Sequence, residues 1–253
     1  MNRRARVAVF AVAVGGLAAL LLAAVVDLPA FGHYRGVYGQ QLLREAVPER
    51  HTTNVVTAIV FDYRGFDTLG EEFILFASVV GVALLLRRHR DSEDHEEVMR
   101  RAADDHVRSD GVRIAGLLAI PALFVLGLWV VAFGLVTPGG GFQGGVLLAG
   151  AIFVVFLAGG FRPYGRMAPT HWLDFAEGSG AAGFVLLGLG PLLAGAHYLH
   201  NFLAPGLTGT LESGGSLPLL NWATAVEVTG AMLLLFSEFL ESYVAPRLGP
   251  PLR

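Results

Sequence analysis

The chain has 253 residues, of which 54% are hydrophobic and 15% charged, no cysteine, and a formal net charge of -3. A mean hydropathy of +0.58 exceeds that of soluble globular domains and points to a membrane protein. Without cysteine, neither a disulfide framework nor a thiolate metal or iron–sulfur centre can be built. The arginines are dispersed at the ends of apolar runs, so no basic footprint for nucleic acid exists.

The first apolar run, VAVFAVAVGGLAALLLAAVV over residues 7–26, just spans a hydrocarbon core of about 30 Å as one helix. Arg3, Arg4 and Arg6 ahead of it resemble the start of a signal peptide. The run is too long for one, however, and no small-x-small cleavage site follows, so a retained span is expected.

The next stretch, NVVTAIVFDYRGFDTLGEEF from Asn54, continues into apolar sequence as far as Leu86. A single helix of that length would be about 50 Å long, too long for a bilayer without a break, and Gly65 is the candidate break. The expectation is a short surface helix to about Tyr63, a turn at Arg64 and Gly65, and a span over 66–86. Asp62, Arg64, Asp67, Glu71 and Glu72 then gather at one end of this span. Asp67 and Glu71, at i and i+4, share a helix face near a helix N-terminus, where the dipole favours negative charge. Two readings are open. One is a cap and salt-bridge cluster, with Asp67 as N-cap and Arg64 neutralising a neighbour. The other is proton or sodium handling at a hydrated entrance, with Asp67 and Glu71 as the leading pair.

Between Arg87 and Arg113 arginines alternate with acids, and His89, His95 and His106 are interspersed. No fixed ligand spacing appears, so a solvated linker is expected and no metal site. It separates a two-span region, residues 1–90, from a four-span domain, residues 112–253, with the linker over 91–111 and no internal repeat relating the halves.

Two apolar runs, 114–136 and 142–161, flank the stretch VTPGGGFQGG at residues 136–145. Its glycines formally fit a dinucleotide fingerprint, but no strand precedes them and no βαβ unit is present. The physical reading is a turn. Pro138 stops one helix, and Gly139, Gly140, Gly141, Phe142, Gly144 and Gly145 begin the next. The glycine pairs four apart allow backbones to approach closely, either as a tight turn or as a packing surface for another subunit.

The last two apolar runs cover 178–199 and 222–244. Trp172 and Asp174 are expected just before the fifth span, as an aromatic anchor and an N-terminal acid. His197 and His200 fall at its far end. Glu227 is the deepest acid of this half, either reaching to the interface or lining a polar path between subunits. Glu238 and Glu241 are expected at the opposite interface.

The chain is thus expected to be all-α and polytopic, with six transmembrane helices. Placing the N-terminus inside puts fourteen of the eighteen arginines on the cytoplasmic side, which predicts both termini in the cytoplasm. The stretch from Pro138 to Gly145, entering an apolar helix, resembles the signature of the MnhB/MrpB subunit family of Mrp-type sodium/proton antiporters. The sequence from Asn54 to Glu71 is similar to the MbhE-type region at the C-terminal end of the large MrpA protein. The resemblance implies an accessory subunit, in the plasma membrane, of a multisubunit cation/proton antiporter. Its partners would be the large antiporter-like subunits, small membrane subunits and the lipid bilayer, with Na+ and H+ transported by the complex. The same module in the membrane arm of a redox-driven complex, such as a membrane-bound hydrogenase, is the other function class. No group that makes or breaks a covalent bond is visible and no cofactor is expected, so the chain itself is not read as an enzyme.

Overall fold

The computed structural model describes residues 3–26, 28, 36–87 and 109–244. The charged linker, including His89, His95 and His106, lies almost entirely outside the described residues, as do Arg247 and Arg253 near the end.

Every regular element among the described residues is helical. In order they are α1 (Arg3–Val26), α2 (Val37–Arg50), α3 (Val55–Ala58), a π-helical turn (Ile59–Tyr63) and α4 (Gly65–Arg87). Then come α5 (Asp110–Ala132), α6 (Gly141–Gly159), α7 (Phe161–Met167), α8 (Thr170–Leu189), a 3-10 turn (Gly190–Ala194) and α9 (Leu217–Val244). Six helical segments are long and apolar enough to cross a membrane: α1, α4, α5, α6, α8 with its 3-10 turn, and α9. The chain forms two compact units, Met1–Gln41 and Leu42–Arg253. In the first unit, α1 buries none of its residues. From Val7 onward it is apolar all round, as a lipid-immersed span must be.

In the second unit α9 is the central helix, packed against α4, α6 and α8, and it is the most buried of the spans. Two apolar layers hold the bundle. One joins Leu69 of α4, Phe184 of α8, Leu217 and Leu220 of α9, Leu135 and Phe61. The other joins Val79 of α4, Ala149 of α6, Leu173 of α8, Ala231, Leu233 and Leu234 of α9, and Tyr164 of α7. The Tyr164 hydroxyl lies 2.7 Å from Ser237 Oγ, which satisfies both polar groups inside this second layer.

The expected break in the second span is present. Asn54 caps α3 by accepting from the backbone N–H of Val56 and Thr57. The chain then widens into the π turn, and Arg64 (φ -133, ψ 34) leaves helical geometry before α4 starts at Gly65. The residues around Asn54 also reach across to the C-terminal end of α5, whose last carbonyls have no partner within their own helix. Asn54 Nδ2 donates to the carbonyls of Gly134 at 2.7 Å and Thr137 at 3.0 Å. Thr57 Oγ1 donates to Gly134 at 2.7 Å and Thr53 Oγ1 to Val136 at 2.6 Å, and Thr52 donates to Leu135. The segment that leads into α4 is stitched to the four-span region here.

The glycine turn makes its close approaches within the chain. Gly139 and Gly140 have φ of +151° and +144°, which other residues rarely adopt. A Cβ on Gly141 would lie 2.4 Å from the carbonyl oxygen of Asn221, and one on Gly145 would lie 2.9 Å from Val228 Cβ, both on α9. On the opposite side, a Cβ on Gly144 would lie 2.2 Å from Val131 Cγ2 of α5. These faces of α6 are therefore occupied by α5 and α9. Gly140 has no side chain to cap α6, so Asn221 does it from α9. Its Oδ1 accepts from Gly141 N at 2.6 Å, while its Nδ2 donates to the Val131 carbonyl at 2.8 Å.

Two spans start earlier than expected. The fifth begins at Thr170 rather than at 178, because Asp174 and Glu177 lower the hydropathy of a stretch that packing nonetheless keeps helical, so Trp172 and Asp174 sit inside the helix. The sixth begins at Leu217 rather than at 222, with the polar Asn221 inside it.

Candidate functional site: a layer of buried carboxylates

Between the two apolar layers lie three glutamates, one from each of three spans. Glu72 of α4 is 1% exposed, Glu177 of α8 4%, and Glu227 of α9 0%. At a rise of about 1.5 Å per residue, Glu72 lies about 10 Å along α4 from Gly65. Glu177 lies about 10 Å along α8 from Thr170, and Glu227 about 15 Å along α9 from Leu217. All three thus lie about two turns or more inside segments long and apolar enough to cross a membrane.

The carboxyl groups are neighbours. Glu227 interacts with Glu72 and with Glu177, and Glu72 interacts with Glu227 and Thr224. None of the four oxygens of Glu72 and Glu227 meets a protein partner in full hydrogen-bonding geometry among the described residues. The charged groups acting on Glu227 are both acidic, so no cation among the described residues compensates it. Intramembrane carboxylates in such a setting are costly, face a cavity or a partner charge, and mark ion or proton paths.

Small residues bring them together. Glu177-Gly-Ser-Gly180 and Glu227-Val-Thr-Gly230 carry the same Glu-x-x-Gly spacing. The two antiparallel helices use it reciprocally. A Cβ on Gly180 would lie 2.4 Å from Glu227 N, and one on Gly230 would lie 2.6 Å from Glu177 N. Each glycine thus removes the obstacle in front of the other helix's glutamate. On α4, Thr68 lies one turn before Glu72 on the same face, and its hydroxyl bonds back to the Val60 carbonyl of the π turn. The break in the second span therefore also fixes the rotation of α4 that points Glu72 inward.

Of the residues expected at an ion path, Glu72 and Glu227 come together here. The others do not. Asp67 and Glu71 are exposed on this chain and do not join the layer, because the face they share turns away from α9. Asp67 is not an N-cap either: it lies in the first turn of α4 and forms an ion pair with the exposed Arg64. Glu71 lines a cavity of about 220 Å³ together with Thr57, Phe61 and Gly139 to Gln143 of the glycine turn. Asp62, on the π turn, has Arg50 Nε 3.0 Å from its Oδ2 and Asn201 Nδ2 at 3.4 Å. Burial holds the Asp62 carboxyl above the usual carboxylate range, against the opposing pull of Arg50, Asn201 and His200. Next to it the Tyr63 hydroxyl bonds Glu49 Oε2 at 2.5 Å, and burial with this bond pushes the phenol up to about 12. His197 and His200 lie beyond α8 and line a cavity of about 270 Å³ with Asp62, Tyr63 and Arg64.

Two acids were placed differently by sequence reasoning. Glu177 went unnoticed because the fifth span was started after it. Glu238, expected at an interface, is 2% exposed and inside the bundle. The signal that finds Glu177 is the repeated Glu-x-x-Gly, which pairs it with Glu227.

Comparison with known proteins agrees with this architecture. The profile described as a domain related to the MnhB subunit of the Na+/H+ antiporter matches residues 111–234, and the MbhE profile, of the MBH complex, matches residues 2–103. An uncharacterised protein of Methanocaldococcus jannaschii is 31% identical over 198 residues, covering 71% of this chain and 74% of that protein. The chain belongs to the MnhB family, with an MbhE region at its N-terminal end. A Rhizobium meliloti protein described as the probable A/B subunit of a K+/H+ antiporter is 30% identical to this MnhB-family chain over 191 residues, 68% of the chain but 19% of that longer protein. Among solved structures, a chain of the membrane-bound sulfane sulfur reductase, an archaeal respiratory membrane complex, matches with TM-score 0.70 and 28% identity. That match covers 94% of this chain and 99% of the other. A chain of the Mrp complex from Dietzia sp. has the same fold at TM-score 0.64 and 21% identity, with 94% of this chain and 26% of that chain covered.

Proposed function

We propose that this MnhB-family chain is an accessory, multi-pass subunit of a plasma-membrane Mrp-type cation/proton antiporter complex, and that Glu72, Glu227 and Glu177 form part of its ion path. Its partners are the large antiporter-like subunits and the small membrane subunits, and the complex exchanges Na+ or another monovalent cation for H+. The observation that carries the reading is the facing pair Glu72 and Glu227, buried in the middle of three spans with no cation of the described residues against them. A proton or a monovalent cation is what such carboxylates exchange at least cost. The chain moves ions and makes no covalent bond. Its two regions, residues 1–90 and 112–253, act together in this role because Glu72 comes from the first and the other two acids from the second.

A second reading has its own support. The chain matches one chain of the membrane-bound sulfane sulfur reductase almost end to end. The same carboxylate layer would then couple ion movement to electron transfer in partner subunits. In both settings the layer does the same thing.

The test is cation-induced alkalinisation in everted vesicles carrying the whole complex, with Glu72→Gln, Glu177→Gln and Glu227→Gln. The amides keep the shape and remove the charge. Exchange is expected to fall at least about tenfold in Glu72→Gln and Glu227→Gln while the subunits still co-purify. Unchanged exchange in all three would overturn the ion-path assignment. Purifying the native complex decides between the two settings: hydrogenase-like or other redox subunits favour the second, antiporter-like subunits alone the first.

A further inference from the structure

At the end of the bundle opposite the glycine turn, α5, α6 and α7 enclose a groove of about 510 Å³. Leu117 and Ile120 of α5, Val155 of α6 and Pro163 of α7 form its walls, and Asp110 and Arg113 stand at its mouth. The back is closed. Gly116 and Ala158 bring α5 and α6 together so tightly that a Cβ on Gly116 would lie 2.6 Å from Ala158 Cβ. The groove therefore opens sideways, towards whatever surrounds the bundle, and not towards the carboxylate layer.

We propose that this groove binds one phospholipid with a zwitterionic amine headgroup. Asp110 and Arg113 lie in the first turn of a span, at the level of lipid headgroups, and Ile120 is about 10 Å deeper. A ligand that fills the groove must therefore be polar at one end and hydrocarbon beyond it. The two mouth residues are exposed, stand i and i+3 on one face, and form no ion pair with each other or with another described residue. A guanidinium and a carboxylate side by side match a phosphate and an ammonium side by side. The lipid phosphate takes Arg113, the amine takes Asp110, and one acyl chain follows Leu117 and Ile120 to Val155. An anionic lipid such as phosphatidylglycerol satisfies Arg113 with its phosphate but brings no cation to Asp110. Free phosphate leaves the walls bare, and an apolar helix of another protein leaves both charges without partners. α7, packed on α6, adds Arg162 and Arg166 at the same end, where cationic side chains favour lipid phosphates.

The experiment uses the whole complex reconstituted in vesicles of mixed phosphatidylethanolamine and phosphatidylglycerol. A trace of either lipid carries a photoactivatable acyl chain, and cross-linked peptides are identified by mass spectrometry. The phosphatidylethanolamine probe is expected to label the segments 117–120 and 155–158, and the phosphatidylglycerol probe much less. Labelling by the first should drop about tenfold in the double variant Asp110→Asn with Arg113→Gln, the size of effect that lost charge-assisted hydrogen bonds produce. It should drop likewise in Ile120→Trp, which fills the groove. Co-purification of the partner subunits verifies assembly of each variant. The comparison of the two probes in the unaltered complex stands even where a variant fails to assemble. Equal labelling by both probes, labelling unaffected by assembled variants, or cross-links from this groove to another protein of the complex would each overturn the proposal.

Discussion

Asp62 and Glu227 are both acids with little exposure, but Asp62 has a cation against it, with Arg50 Nε at 3.0 Å, whereas the charged groups acting on Glu227 are acidic. Asp62 sits three residues before Gly65, where a helix of excessive length had to break, and so its place at the end of a span was legible. Its partners were not, because Arg50 and Asn201 arrive from other segments. The raised pKa of Asp62 has a consequence for stability. A carboxyl whose folded pKa exceeds its unfolded value of 3.8 contributes stability that is complete below 3.8 and is lost as pH rises through the folded value. Asp62→Asn removes that dependence, while Arg50 stays charged throughout and shifts the curve only by a constant. The melting temperature of the wild-type chain in detergent should therefore fall, relative to that of Asp62→Asn, as pH rises from about 4 into the neutral range. Parallel curves for the two proteins would show that burial of Asp62 has no energetic consequence.

Between helices, glycine decides where acids can meet. The motif Pro138 to Gly145 announced a close approach, and the structure supplies it, but with α5 and α9 of the same chain as the neighbours. Sequence could show that a backbone would come near at Gly144 and Gly145. It could not show whose backbone, because a small residue permits contact without selecting a partner. The Glu-x-x-Gly pair on α8 and α9 was legible in principle, since the two copies stand in plain sequence. It was missed because hydropathy places span ends by average composition, and Asp174 with Glu177 pulled that average down. The steric argument predicts sharply different outcomes along one helix. In α6, Gly144→Leu drives a side chain into Val131 and the Gly127 carbonyl, whereas Gly150 has nothing within 4 Å of its built Cβ. Overpacking against backbone costs about 1–3 kcal/mol or more, and replacing a helical glycine by alanine in open space gains about 0.5–1 kcal/mol. The chain expressed without its partners should thus lose yield and thermal stability with Gly144→Leu and gain a little with Gly150→Ala. If Gly144→Leu leaves the isolated chain intact and only impairs recovery of the complex, the glycine surface serves a partner instead.

At the scale of the molecule, the positions of the arginines and of the carboxylate layer bear on one another, because a path through α4, α8 and α9 has a direction only once the ends of the spans are assigned to sides. The helix count fixes the alternation. α4, α6 and α9 begin at the glycine-turn end, while α5 and α8 begin at the end that carries Asp110, Arg113, Arg162 and Arg166. The glycine turn and the loop 195–216 carry no arginine. Arg50 and Arg64 ahead of α4 lie at that end beside them, but the opposite loops are richer, so the charge bias predicts that the glycine-turn end faces outside. Glu72 is then the acid nearest the outer surface and Glu177 the one nearest the cytoplasm, with Glu227 between them. Because the chain has no cysteine, a single introduced one is a unique reporter. Thr208→Cys and Met167→Cys place it at exposed positions on the two ends without disturbing a buried contact. In intact cells a membrane-impermeant maleimide should modify Thr208→Cys directly and Met167→Cys only after permeabilisation. The reverse pattern would invert the bundle, make Glu177 the outward-facing acid, and require the cation to enter from the arginine-lined end, where anionic lipid phosphates and not the glycine turn surround the mouth of the path.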